Sequence, residues 1–347
     1  MGVKLYLGEA VGLLLKTLPF IWIRLGTYAL LGLGLSIYFA VAAGVAWLLG
    51  QVLGILGVIV FLAAFGGAWA LVRWAKRYFF YLLQAAHIAV MTEYIVYGRA
   101  PEGSQVQYGR RQVMDRFRDV SLMFAVDLMI DGIVKRINRT VASITGLLPI
   151  PNLDNLNKII AQVSKFATTY IDEAILSRAY QYREKNVWAV AQDGIILYAQ
   201  AWKPVLANAV ALTIINYLEM AVVLVILAIP AIILGAIIPF EPVRVFLGLL
   251  VLVGTWMFKL AVSDAYAMAA TLLAYHRSIE GVEPNPDWKE RLEGMSDQFR
   301  QLTDRASSAV AGKETASGEP ESSESDPATS NEGSETDPSS TDKNPES

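Results

Sequence analysis

The chain has 347 residues, of which 54% are hydrophobic and only 18% are charged, and its formal net charge is −3. This composition is typical of a membrane protein. Residues 313–347 carry ten acidic and two basic side chains, which leaves a net charge of +5 for residues 1–312. No segment is basic enough to favour nucleic-acid binding. The chain has no cysteine and only two histidines, so disulfides and thiol nucleophiles are excluded, and no metal or other cofactor is predicted.

The first 26 residues predict an amphipathic helix at the membrane interface. Apolar positions such as Leu5, Val11 and Leu15 are interrupted by Lys4 and Lys16. A cleaved signal peptide is the competing interpretation. It is weaker, because charges break the apolar runs and no small-residue cleavage site precedes the next long apolar run.

Residues 27–73 predict a first transmembrane hairpin. Thr27 to Val72 contains no charged residue, and about 46 residues suit two crossings rather than one. The reversal is expected near Gly50-Gln51. The many glycines of this stretch favour close helix packing.

Residues 203–277 predict a second transmembrane hairpin. Two long apolar runs are joined at Pro239-Phe240-Glu241-Pro242, and each exceeds the roughly 20 apolar residues that cross a bilayer. With the first hairpin, the sequence predicts an all-α, polytopic integral membrane protein with four crossings.

Residues 74–202 are too charged to cross a membrane and predict long amphipathic helices in the cytoplasm or at the interface. Asp127, Asp131 and Lys135 recur every four residues, as on one helical face. The apolar segment 141–150 is too short for a crossing and is open between a buried turn and a re-entrant segment. Pro149-Ile150-Pro151 is expected to end the helix before it.

The distribution of basic residues predicts the orientation. Six of them flank the first hairpin on one side, four flank the second hairpin on the same side, and the turns between crossings carry Arg244 alone. The flanking residues are Lys4, Lys16, Arg24, Arg73, Lys76, Arg77, Arg183, Lys185, Lys203 and Arg277. The positive-inside rule then places both termini in the cytoplasm of a plasma-membrane protein.

The two hairpins also predict an internal repeat. A shift of 183 residues places Lys76, Gly98 and Pro101 on their counterparts Lys259, Gly281 and Pro284. In each half, an amphipathic lead-in precedes a hairpin, which continues as a long helix and ends in a polar turn. Repeats of equal topology are known from transporters.

The order of segments resembles a known family. A helix ending AAHIAVMTEYIVYG is followed by RRQVMDRFRDVSLMFAVDLMIDGIVKRI, KFATTYIDEAILSRAYQY, the lead-in AVAQDGIILYAQAWKPVLANAV and a last crossing ending SDAYAMAATLLAYHRSIEGVEP. This succession, over residues 80 to 287, is similar to the C-terminal membrane core of the choline transporter-like family. That family's further N-terminal crossings and cysteine-bearing extracellular loop are not found here, so its substrate is not carried over.

Charged residues inside the second hairpin are the candidate binding site. Glu219 and Lys259 lie on consecutive antiparallel helices and are expected to meet, with further candidates nearby. These are Asn216, Tyr217, Asp264 and Tyr266. The pair either binds a cationic solute or ion, or neutralises itself and locks the hairpin. His87 and His276 are expected to be neutral side chains at the interface, with a role in a proton relay as the alternative.

No catalytic motif is present, and the chain is predicted not to be an enzyme. The pair Asp172-Glu173 is expected to solvate a helix face. Residues 278–308 predict a charged segment with a helix from Asp287 to about Ser308, and residues 309–347 a disordered acidic tail that offers a site for a protein partner.

Two functions follow as hypotheses. The first is a transporter or channel-like protein for a small solute or ion, working as a homo-oligomer in the lipid bilayer. The second is a membrane scaffold or assembly factor that binds partners through its cytoplasmic helices and acidic tail.

Overall fold

The computed structural model describes residues 4–75, 79–116, 120–145, 170–238 and 240–317, and this part of the chain is built from helices without any strand. The α-helices, in chain order, are α1 Leu7–Lys16, α2 Leu18–Val52, α3 Gly54–Ala75, α4 Tyr81–Tyr97, α5 Gln105–Arg116, α6 Val120–Thr145, α7 Ile171–Gln181, α8 Val187–Gln200, α9 Trp202–Ile237, α10 Glu241–Phe258, α11 Asp264–Ser278, α12 Pro286–Met295 and α13 Asp297–Ser317. The prediction of an all-α chain is confirmed.

Within the described residues, four helical stretches are long and apolar enough to cross a membrane. They are Leu18–Val52, Gly54–Ala75, Trp202–Ile237 and Phe246–Ser278. The last runs from α10 through a π-helical turn into α11. Their number agrees with the four predicted crossings.

Helices α2 and α3 are joined at Leu53, close to the predicted reversal, and pack against each other. A Cβ atom on Gly57 would lie 2.5 Å from the carbonyl oxygen of Ala46, so a side chain there would push the helices apart. Further along the pair, the Tyr38 hydroxyl donates to the Ala64 carbonyl at 3.0 Å. Glycine therefore sets the close approach of these two helices.

The four membrane-length helices bury little of their surface against the rest of the chain. The buried share of their most apolar windows is 6%, 6%, 0% and 22% in chain order. Large apolar side chains such as Leu30, Trp47 and Ile232 are exposed. Helices that are apolar on all sides and yet uncovered by protein are suited to lipid.

The inner helices form one packed bundle. Its core draws on α4, α6, α7, α8 and α11, with α1 and the first turns of α2 and α9 packed onto it. Tyr198, Tyr275, Phe20 and Met91 are among its largest fully buried side chains. The helices between the hairpins bury their apolar faces against one another and against α11, which ends the fourth membrane-length stretch.

The charged segment after residue 285 differs from the predicted single helix. It forms two helices, α12 and α13, because Ser296 between them adopts an extended conformation. The Ser296 hydroxyl accepts a hydrogen bond from the Phe299 backbone N–H at 3.3 Å and so caps the start of α13. Helix α13 continues to Ser317, so it covers the first residues of the predicted tail. Residues 318–347, the rest of segment 141–150 after Thr145, and the Pro149-Ile150-Pro151 break lie outside the described residues.

Candidate solute or ion site at the π-helical turn

Lys259–Ser263 form a single π-helical turn between α10 and α11. In an α-helix, side chains five residues apart point about 140° apart around the axis and do not meet. The wider turn brings Lys259 and Asp264 to one side, where Nζ lies 2.7 Å from Oδ1. Such turns inside α-helices are frequent at functional sites.

Asp264 accepts a second hydrogen bond at the same oxygen, from the Tyr170 hydroxyl at 2.9 Å. Tyr170 immediately precedes α7, so the ion pair ties a membrane-length helix to the inner bundle. The sequence hypothesis paired Lys259 with Glu219. The structure pairs it with Asp264, because the π turn brings that carboxylate to the same side of the helix as Lys259.

Glu219 lies on α9, half-buried, beside the same turn. Its Oε2 atom is buried and has no hydrogen-bond partner. The Ser263 hydroxyl is close enough to act on this carboxylate, yet it too makes no hydrogen bond of ordinary geometry, and Ser263 is only 1% exposed. Because buried polar groups ordinarily have a partner, this side of the site is incomplete.

Arg24, on α2, completes the group. It is 6% exposed, and its Nη2 atom has no hydrogen-bond partner. Asp264, Tyr170 and Glu173 are near enough to interact with its charge. From the sequence, Arg24 was predicted only to be a basic residue that flanks the first hairpin. Its position inside an apolar run, between Ile23 and Leu25, was the available signal, since a guanidinium is costly there without a partner.

A cluster of carboxyl groups lies next to Arg24 in the inner bundle. Glu173 accepts a hydrogen bond from Gln84 Nε2 at 2.7 Å. Burial, and then the neighbouring Asp172, raises the pKa of Glu173 well above its usual value, and burial with the charge of Asp172 raises the pKa of Asp127 to about 7. The expectation that Asp172-Glu173 solvates a helix face is wrong: both are half-buried, because α7 packs between α4 and α6.

The remaining predicted site residues divide into two groups. Tyr266 lies beside Glu219, and its hydroxyl donates to the Leu7 carbonyl at 3.4 Å. Asn216 is half-buried one turn before Glu219 on α9, whereas Tyr217 is 57% exposed on the other side of that helix. The structure therefore gathers Glu219, Lys259, Asp264 and Tyr266, and it leaves Tyr217 facing outward.

Both histidines are structural core residues rather than interface residues. His87 Nε2 lies 2.9 Å from Thr17 Oγ1, and its ring stacks on Phe20 with centroids 4.7 Å apart. Burial lowers the pKa of His87 well below its usual value, so the imidazole is neutral. His276 Nε2 lies 2.7 Å from Ser177 Oγ. Within the described ranges, no cluster of three or more His, Asp or Glu side chains is arranged to hold a metal ion.

Comparison with known proteins finds no relative from which a function for this chain could be inferred. No protein-family model, no curated protein and no solved structure matches it. The resemblance to the choline transporter-like family therefore stays a prediction, and function follows from the chemistry of the site.

Proposed function

We propose that this chain is an integral membrane protein that transports a small solute or ion, with its binding site at the π-helical turn. The observation that carries the proposal is the Glu219 carboxylate on a membrane-length helix beside this turn, whose Oε2 atom is buried and has no hydrogen-bond partner. An ionisable side chain at membrane depth costs about 2.5–3.5 kcal/mol on insertion scales. A bound solute or ion that supplies the missing partners offsets that cost.

The chemistry of the site favours a ligand with a positively charged group. Lys259 is already neutralised by Asp264, so Glu219 is the carboxylate available to a ligand. Tyr266 beside it offers an aromatic face, which attracts organic cations. A small organic cation is thus the first class of substrate to test, followed by inorganic cations.

The uncovered membrane-length helices support an oligomer as the working unit. Two helix pairs with so little buried surface do not enclose a path through a bilayer within one chain. Further copies of the chain would supply the missing walls by repeating the same contact about a symmetry axis.

The proposed internal repeat gains support from the backbone. Phe79 and Phe80 are π-helical, as are the residues 183 positions later, Val262 and Ser263. Gly98 and Gly281, also 183 apart, both adopt left-handed conformations with φ of 66° and 72°. In each proposed repeat, a membrane-length helix is followed by π-helical residues, a second helix and a glycine with positive φ after that helix ends. Equal topology of the halves agrees with both termini lying on the cytoplasmic side of the plasma membrane.

A membrane scaffold is the second candidate function. It is favoured by the network of Lys259, Asp264 and Tyr170, whose members satisfy one another without a ligand. The packed inner bundle and the acidic residues 313–347 would then bind the partners.

Flux into liposomes separates the two functions. Purified protein is reconstituted and offered a panel of small cations that includes choline, and the parent is compared with Glu219→Gln. Glu280→Gln serves as the matched control, because Glu280 is an exposed carboxylate outside the site. Transport predicts flux in the parent and the control and its loss in Glu219→Gln with the fold intact. Equal absence of flux in all three would contradict transport and favour the scaffold.

A further inference from the structure

A polar cavity lies in the inner bundle, away from the π-helical turn. Its volume is about 380 Å³, within the range of small-molecule sites. It is lined by the ends of α4, α7 and α11 and by the turn after α11. This turn reverses at Gly281, whose φ of 72° requires glycine.

Arg178 lines this cavity. Arg178 is 8% exposed, and its Nε atom has no hydrogen-bond partner. The guanidinium stacks over the Tyr182 ring, with Cζ 4.8 Å from the ring centroid, but it forms no ion pair within the described part of the chain. Leaving a buried cation without an anion is costly, so the cavity lacks a negative charge.

The acidic residues of the cavity do not supply that charge. Glu280 and Glu283 are both exposed at its mouth, and Glu280 pairs with Arg277 at 3.6 Å. Arg277 lies also within 3.9 Å of Glu9, so its charge is already shared between two carboxylates. Asp193 on α8 is near enough to Arg178 to interact with its charge but forms no ion pair with it, so among the described residues Arg178 is the lining cation that no carboxylate contacts directly.

We infer that this cavity binds a small oxyanion, a phosphate or carboxylate group, through the guanidinium of Arg178. The planar donor fork of arginine matches the oxygen atoms of either group. Gln181 lines the same cavity and has a buried side-chain oxygen without a partner, so its amide adds a polar contact for the remainder of the ligand. Stacking on Tyr182 fixes the plane of the guanidinium before the anion arrives.

The cavity lies apart from the π-helical turn. Helix α11 rises by 1.5 Å per residue, so Arg277 at the cavity lies about 20 Å from Asp264 at the π-helical turn. The cavity is at the end of the fourth membrane-length stretch, which ends at Ser278. This inference is independent of the transport proposal, because none of its residues belongs to the π-turn site.

Thermal unfolding of the purified full-length protein in detergent tests the inference, with inorganic phosphate added at constant ionic strength. The parent should gain about 5 °C in Tm at a phosphate concentration of about 100 times Kd. Arg178→Gln should lose this gain. Arg305→Gln, which removes the same charge from an exposed residue outside the cavity, should keep it.

A second variant covers the case in which Arg178→Gln does not fold. Glu283→Arg changes an exposed side chain at the mouth, and the change of two charges should lower the Kd for phosphate about five-fold. Replacing phosphate by vesicles of phosphatidylcholine with and without phosphatidylglycerol identifies the source: an Arg178-dependent gain from the anionic vesicles alone would assign the site to a lipid headgroup. No gain from phosphate, acetate or anionic vesicles, or an equal gain in Arg178→Gln, would overturn the inference.

Discussion

Replacing Lys259 by methionine tests which carboxylate holds its ammonium group. Nζ lies 2.7 Å from Asp264 Oδ1, and the two side chains are 28% and 23% exposed. Unit charges about 4 Å apart attract by about 4 kcal/mol at an effective dielectric constant of 20. Partial exposure and side-chain ordering reduce that figure, so we expect a coupling energy of about 1–3 kcal/mol.

A double-mutant cycle measures this coupling directly. The free energy of unfolding in detergent is compared for the parent, Lys259→Met, Asp264→Asn and the double variant. The double variant should be less destabilised than the sum of the single variants, because removing both partners leaves no uncompensated charge. A second cycle with Glu219→Gln in place of Asp264→Asn should give a coupling below about 0.5 kcal/mol.

The opposite ranking would refute the pairing described here. A coupling of Lys259 that is larger with Glu219 than with Asp264 would restore the pairing expected from the sequence. It would also remove the argument that Glu219 is available to a ligand. Additive effects in both cycles would mean that neither carboxylate stabilises the ammonium group.

Three further predictions address the inner bundle. Gly109→Ala should lower Tm by about 4 °C, because the new Cβ would lie 2.5 Å from a backbone carbonyl oxygen of α4. Gly12→Ala is the control and should not lower Tm, because a Cβ at Gly12 would have no atom within 4 Å. Equal Tm values for the two variants would contradict this packing. Burial raises the pKa of Asp127 to about 7, above the value of about 4 in the unfolded chain, so its contribution to stability is complete below about pH 4 and is lost as the pH rises through 7. Asp127→Asn should therefore flatten the fall of Tm between about pH 4 and 7, and an unchanged slope would contradict the assignment. Tyr198→Phe removes a buried hydrogen bond of 2.6 Å to Asn138 and should cost about 1–3 kcal/mol in the free energy of unfolding, so an unchanged Tm would contradict that bond's contribution.

The membrane-length helices were predictable because the signal is local. The length and hydropathy of a charge-free stretch such as Thr27 to Val72 can be taken directly from the sequence, and no tertiary contact is needed to recognise it. The break at Leu53 fell close to the predicted reversal for the same reason, since two crossings of similar length divide the stretch near its middle.

The site was predicted only in part, because its geometry depends on tertiary packing. Glu219, Lys259, Asp264 and Tyr266 stood out as polar residues in apolar surroundings. The π turn between two of them has no sequence signature in KLAVS, so the five-residue pairing could not be foreseen.

Arg24 and Glu173 were missed for a related reason. A single basic residue near the end of a crossing is ordinarily a flanking charge, and adjacent carboxylates on a helix ordinarily face water. The carboxylates of Asp172 and Glu173 are buried because α7 packs against its neighbours. Arg24 is buried because the start of α2 packs against the inner bundle.

The π-helical turn also fixes the rotational phase between the two halves of one continuous helix, residues 241–278. Before the turn, α10 packs against α9 and exposes large apolar side chains such as Phe246 and Leu250. After the turn, α11 buries nearly every side chain from Ala265 to His276. Inserting one further residue between Leu260 and Val262 would turn the second half by about 100° relative to the first. That rotation would carry Tyr275 away from the Gly194 carbonyl, which it contacts at 2.9 Å. The number of residues in this turn is thus as strongly constrained as their identity.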